Sequence, residues 1–126
     1  MLKVHNVTST DGTRLHVEDR GPMEAPPILM LHGFCQCALS WKHQLGGSLE
    51  QHYRLITPDL RGHGRSDKTR ALESYTDGRL WAGDIVAILN HLELVRPILL
   101  AWSYSGLAAC DFLRHDNQSK LGGLGL

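Results

Sequence analysis

The chain has 126 residues, 42% hydrophobic and 21% charged, the proportions of one ordinary globular domain, which exclude disorder, collagen-like repetition and low complexity. Its 13 Lys and Arg balance 13 Asp and Glu, so no net field draws it toward nucleic acid or an acidic membrane surface. The longest apolar runs, Ile28 to Leu31 and Pro97 to Trp102, fall far short of the roughly 18 residues needed to span a bilayer, and the start lacks the apolar core of a secretory signal, so a cytoplasmic location is expected.

In chain order, the first expected element is a hairpin. Leu2 to Thr8 and Thr13 to Arg20 flank Thr10-Asp11-Gly12, and an Asp-Gly pair supplies the positive φ angles of a tight turn. Leu15 and Val17 alternate with Arg14, His16 and Glu18, so one face of this ribbon is expected to meet water. Ile28 to Leu31, Leu55-Ile56 and Ile98 to Ala101 are unbroken apolar runs, the pattern of strands covered on both faces in a parallel sheet. Between them, Ala38, Trp41, Leu45 and Leu49 recur at helical spacing. Trp81, Ile85, Ile88, Leu89 and Leu92 form a second stripe opposite Arg79, Asn90, His91 and Glu93, with Asp77 as its N-cap. Strand alternating with helix predicts an α/β, doubly wound and mostly parallel sheet carrying the hairpin at one edge, in a single unit over residues 1–126.

Three cysteines cannot all pair within one chain, and Cys35 and Cys37 are too close for an easy bridge, so reduced thiols are expected. His32, Cys35 and Cys37 do not make a metal site, because a structural zinc wants four ligands and Cys110 lies far along the chain.

The chemistry concentrates where the run from Pro97 to Trp102 meets Ala101-Trp102-Ser103-Tyr104-Ser105-Gly106, followed by a helical stretch from Tyr104 to His115. This resembles a nucleophile elbow, small-x-Ser-x-small, in which a sharp strand-to-helix turn holds the serine in a strained conformation; Ala101 and Ser105 stand where glycine is usual. Two more motifs follow apolar strands, Leu31-His32-Gly33-Phe34 and Pro58-Asp59-Leu60-Arg61-Gly62-His63-Gly64-Arg65-Ser66-Asp67. Together, in this order and spacing, they resemble the N-terminal half of an α/β-hydrolase-fold protein, close to the esterase and haloperoxidase-like serine hydrolases.

The resemblance implies that Ser103 is the nucleophile attacking an acyl carbon, and that the backbone amides of Phe34 and Tyr104 form the oxyanion hole. It implies a small ester or acyl substrate, with Phe34 and Trp102 as candidate apolar walls, the alternative for Trp102 being to pack under the elbow, and no metal or organic cofactor. His32 and His63 are assigned structural roles, bracing their own loops. Asp59, Arg61 and Asp67 are expected to form one hydrogen-bonded loop network, Ser66 to be a turn residue, and Asp111 to lie on a helix surface beside Arg114 or His115. The haloalkane dehalogenase and epoxide hydrolase branches carry aspartate at the elbow, where this chain has Ser103.

In this fold the triad runs Ser, acid, His, with the acid and histidine on loops after later strands. Beyond Ser103 lie Asp111, His115 and Asp116, on or just past the helix leading away from the elbow; with a rise of about 1.5 Å per residue, His115 is carried out of reach of the hydroxyl. The sequence ends as a sixth strand opens at Leu121 to Leu126. A partial chain lacking cap, acid and histidine is therefore expected, inactive by itself, with a non-catalytic fragment, pseudoenzyme or interaction module as the alternative. Substrate identity and oligomeric state are not legible.

Overall fold

The computed structural model describes residues 1–116 and 120–126. Strands β1 (Lys3–Thr8) and β2 (Arg14–Arg20) form the expected hairpin, with Gly12 at φ +87° in its turn. Strands β3 (Pro27–Leu31), β4 (Arg54–Pro58), β5 (Ile98–Ala101) and β6 (Gly123–Gly125) run parallel, while β2 joins β4 antiparallel. One six-stranded sheet results, in the order β1-β2-β4-β3-β5-β6. Helices α1 (Ser48–His52), α2 (Glu73–Thr76), α3 (Gly78–His91) and α4 (Ser105–His115) complete the chain.

Side chains alternate across a strand, so each central strand feeds two cores. Leu29, Leu31, Ile56 and Leu99 face α3 and α4, where they meet Trp81, Ile85, Ile88, Ala109 and Phe112. Ile28, Met30 and Leu55 face the other way, against Trp41, Leu45, Leu49 and Tyr53. Asp77 caps α3 as its sequence position predicts, its carboxylate accepting the Arg79 N–H at 3.0 Å.

Three expectations about local structure are corrected. The stretch from Ala38 to Leu49 is not one helix: a 3-10 turn over Ala38–Trp41 leads through Gly46 at φ +75° into α1. Gly46-Gly47 breaks the regular backbone, yet Trp41, Leu45 and Leu49 still pack on one sheet face, which preserves the apolar spacing without the helix. Strand β2 does not turn a face to water, since His16 and Asp19 are buried along with Leu15 and Val17. It lies inside the sheet, where Asp19 takes a bidentate pair from Arg54 at 3.0 and 2.7 Å. The exposed face belongs to the edge strand β1, through Val4, Asn6 and Thr8. Finally, β5 is covered fully on one face only, with Leu99 and Ala101 buried and Ile98 exposed.

The topology also marks a place for chemistry. The connection leaving β3 runs outward to β4, whereas the one leaving β5 runs the opposite way to β6. The loops therefore diverge beyond the carboxyl ends of β3 and β5, which is the switch point where open α/β sheets form their crevices.

A buried charge cluster ties the hairpin to the helical layer. The Arg61 side chain is 1% exposed and bonds Asp84 on α3 at 2.7 and 2.6 Å and Asp11 in the hairpin turn at 3.0 and 3.2 Å. It also donates to the Ser74 carbonyl at 2.9 Å, and Ser9 donates from its hydroxyl to Asp84. Arg61 thus bonds neither Asp59 nor Asp67, and the expected three-residue loop network is corrected: the long guanidinium reaches away from its own loop to partners that neutralise it. Burial works against its charge, and the hydrogen bonds to Asp84 and Asp11 more than reverse this, holding it above its usual range. Burial alone would raise Asp11 as well, but the bonds from Arg61 and from the Thr13 N–H bring it down to about 2.

Arg61→Leu strands Asp84 as an unpaired buried charge and is expected to lower unfolding free energy by about 3–5 kcal/mol in urea titrations. The double variant Arg61→Leu/Asp84→Leu is expected to recover most of that loss, whereas equal losses in the two variants would mean that packing and not charge is at stake.

Candidate active site

Ser103 stands two residues past the end of β5 and two before the start of α4, at φ +56° and exposed. Left-handed backbone at a non-glycine residue costs about 1–3 kcal/mol and persists only where the surroundings enforce it. The enforcement is visible here. The Trp102 N–H donates to the Leu31 carbonyl at 3.0 Å, and the buried Ser105 hydroxyl donates to the carbonyls of Leu31 at 2.9 Å and Trp102 at 3.0 Å. Strand, turn and helix start are thereby fastened to β3.

The loop after β3 comes against this turn at Gly33. A Cβ added there would lie 3.1 Å from Trp102 Cδ1 and 3.4 Å from Ser103 Cβ, so glycine allows the backbone to approach. The next residue, Phe34, has its ring 5.4 Å from that of Tyr104. Neither the Phe34 nor the Tyr104 N–H donates to any acceptor among the described residues. The sequence motifs around Phe34, Ser103 and Tyr104 are thus brought to one corner of the sheet.

Two histidines hold the loop there, each as a bridge. His32 is fully buried, its Nδ1 2.8 Å from the Gly33 carbonyl and its Nε2 accepting the Leu60 N–H at 3.0 Å. His63 repeats the pattern in reverse, with Nδ1 2.9 Å from the Arg61 carbonyl and Nε2 accepting the Cys35 N–H at 3.1 Å. An acceptor at Nε2 fixes the proton on Nδ1, so both rings are neutral clamps between the loops after β3 and β4. Burial also pushes the His32 pKa below its ordinary value. Neither ring is hydrogen-bonded to Ser103, and His115 is exposed at the far end of α4.

Sequence reasoning did not single out Gln36 or the backbone of Cys35. Gln36 Oε1 accepts the Gly33 N–H at 3.0 Å while its own N–H donates back to the Gly33 carbonyl at 3.2 Å, closing the turn; Cys35 sits at φ +57°. The polar side chain three residues after Gly33 is the one local trace of this closure in the sequence. Ser66 is more than a turn residue, since it is buried, accepts the His16 N–H at 2.9 Å and donates to the Asp59 carbonyl at 2.5 Å. Asp59 accepts the Ala38 and Arg65 N–H groups at 2.7 and 2.9 Å. Asp67 takes the Arg14 N–H at 2.8 Å, and Asp111 pairs with Arg114 at 3.8 Å.

Beside Phe34 and Tyr104 opens a cleft of about 430 Å³, walled further by Cys35, His63, Tyr75 and Trp81. Its rings form a chain of contacts from Phe34 through Tyr104 and Trp81 to Tyr75, with centroid separations of 5.4, 5.9 and 6.5 Å. Trp102 is 58% exposed, so it does not pack beneath the elbow; it borders a smaller hollow of about 220 Å³ with Trp41, Gln36 and Gln44. Cys35, Cys37 and Cys110 are all free thiols, and Cys110 is exposed on α4. No helix among the described residues is long and apolar enough to cross a membrane.

The family model for the alpha/beta hydrolase fold matches residues 26–122. Among curated proteins, the chain is 36% identical over 92 residues to epoxide hydrolase A of Mycobacterium tuberculosis, covering 73% of this chain and 28% of that protein. Among solved structures, the esterase RhEst1 from Rhodococcus sp. ECU1013 superposes with a TM-score of 0.90 at 37% identity, over 96% of this chain and 44% of the esterase. The epoxide hydrolase VrEH1 from Vigna radiata superposes at 0.84 and 31% identity, over 98% and 39%. The chain spans about a third of the length of the curated relatives it matches.

The neutral clamp has a pH signature. Because His32 titrates lower in the folded chain than in the unfolded one, the unfolded state binds the extra proton first. Stability is then level above about pH 6.5 and falls as pH drops from there toward the folded pKa. Chemical denaturation across pH 5 to 8 is expected to show a shallower decline in His32→Gln than in the unaltered chain; an unchanged slope would remove His32 from this role.

Proposed function

The chain belongs to the α/β-hydrolase family, and from that premise we propose that it carries the nucleophile half of a serine hydrolase acting on a small carboxylic ester or related acyl compound. The observation that carries the reading is Ser103 itself: exposed, at φ +56°, on the strand-to-helix turn at the switch point of the sheet. In this role Ser103 Oγ attacks the acyl carbon, its proton passes to a base, and the alcohol departs to leave an acyl-enzyme that water hydrolyses. The negative oxygen of each tetrahedral intermediate is received by the Phe34 and Tyr104 N–H groups, which no acceptor among the described residues occupies. The aromatic cleft beside them takes the apolar part of the substrate.

A second reading, epoxide hydrolysis, is favoured by the names of several relatives. Chemistry weighs against it. A carboxylate opening an epoxide forms an ester that water can cleave, whereas a serine hydroxyl would form an alkyl ether with no acyl carbon for water to attack. Ser103 therefore suits an acyl substrate.

No histidine is bonded to Ser103 among the described residues, so the base is proposed to come from sequence like the carboxyl-terminal part of the esterase relatives. The purified chain is expected to turn over p-nitrophenyl acetate weakly or not at all, and to gain activity when co-expressed with the carboxyl-terminal part of the Rhodococcus esterase. Ser103→Ala in that complex is expected to lower kcat by about 10³-fold or more. Ester turnover indifferent to Ser103→Ala, or turnover of styrene oxide in place of the ester, would overturn the proposal.

A further inference from the structure

A second cavity, of about 510 Å³, opens between β2, the 3-10 turn and the loop after β4. It shares only Gly64 with the aromatic cleft, and Ser103 is not among its walls. Its charges do not balance internally. Arg20, Lys42 and Arg65 face it from three separate segments of the chain, against Glu18 and Asp59.

Both carboxylates are already engaged. Asp59 accepts two backbone N–H groups, one at each oxygen, and Glu18 accepts from Arg20 at 3.2 Å while its other oxygen lies 3.6 Å from His16 Nε2. The cations are less well used. Lys42 and Arg65 are exposed, and their side chains make no hydrogen bond or ion pair among the described residues. Arg20 spends one Nη on Glu18, but its Nε is buried with no acceptor among the described residues. A guanidinium N–H taken out of water without an acceptor is disfavoured unless something else accepts from it.

The remaining wall is apolar. Ala38 is buried, Leu45 is half-buried, and Leu39 stands 69% exposed at the rim. Cations and aliphatic carbon lining one cavity match a ligand with a carboxylate head and a short hydrocarbon body.

We propose that this cavity is a binding site for a small aliphatic carboxylate, with Arg20, Lys42 and Arg65 receiving the head group and Ala38, Leu39 and Leu45 the chain. The site does not depend on the role assigned to Ser103. Its position gives it a route to the elbow side all the same. Asp59, Gly64 and Arg65 belong to the loop that carries His63, and His63 holds the Cys35 N–H next to Phe34.

Hexanoate is the probe, titrated calorimetrically into the whole chain, with acetate, 1-hexanol and inorganic phosphate as comparisons. One saturable site for hexanoate is expected, at least tenfold tighter than for any of the three. The double variant Lys42→Ala/Arg65→Ala should weaken it tenfold or more, and since neither side chain bonds anything among the described residues, its urea midpoint should match that of the unaltered chain. Ser103→Ala should leave hexanoate affinity unchanged. Absence of saturable binding, affinity insensitive to the double variant, affinity lost in Ser103→Ala, or hexanol or phosphate equalling hexanoate would each overturn the proposal.

Discussion

The corner of the sheet proposed as the active site depends on two neutral imidazoles exchanged between two loops. A neutral imidazole has one donor and one acceptor, and His32 and His63 each spend the donor on a carbonyl of their own loop and the acceptor on an N–H of the other. Neither loop is regular, so neither can satisfy these backbone groups alone. The pairing fixes where Gly33 lies, and Gly33 fixes how near the β3 loop comes to Ser103. Protonating His32 removes the acceptor and leaves the buried Leu60 N–H facing a cation. The histidines near the elbow therefore build the site by remaining uncharged, which sets them apart from a base that must gain and lose a proton.

The loop after β4 is held from below by a different kind of bond. Arg61 crosses from that loop to Asp84 on α3 and Asp11 in the hairpin turn, and Ser9 joins through Asp84. Buried ion pairs add little net stability over apolar packing, but they are directional, and directionality is what an irregular loop lacks. Three separate segments thus agree on one position for the backbone at residue 61. His63, two residues on, then presents Nε2 to Cys35 with little freedom left. Gly64 closes the same turn at φ +52°, where any Cβ would collide with the Asp59 carboxylate at 2.3 Å.

The sheet was legible because its strands are short apolar runs and its longest helix has a clean stripe and a cap. Asp77 and the residues from Trp81 to Leu92 say as much by spacing as the structure says by burial. Two kinds of feature were not legible. Where a sequence period is shared by two conformations, as from Ala38 to Leu49, apolar spacing records which residues face the core and not how the backbone carries them there. Long-range polar partners were also hidden. Nothing local in Arg61 names Asp84 or Asp11, and nothing in His16 or Asp19 announces that β2 is an interior strand. The elbow was readable from small residues around a serine; the imidazole exchange that supports it links residues 28 apart and leaves no local pattern.

Ser105 shows how a departure from a motif can be informative. Glycine at that position would admit the close approach between helix start and strand by having no side chain. Serine admits it by turning the side chain to use: its hydroxyl bridges the carbonyls of Leu31, at the end of β3, and Trp102, just past the end of β5. The same atoms that crowd the turn thus fasten it, and they do so within two residues of the backbone held at φ +56°. A strained residue keeps its conformation only if relaxing it breaks bonds elsewhere. For Ser103 to relax toward ordinary helical backbone, the start of α4 would have to swing, and that swing breaks the bond from Ser105 to Leu31 on β3. Strain at the elbow is therefore balanced by a tether between strands, and the small residue beside the serine is part of the mechanism that holds it.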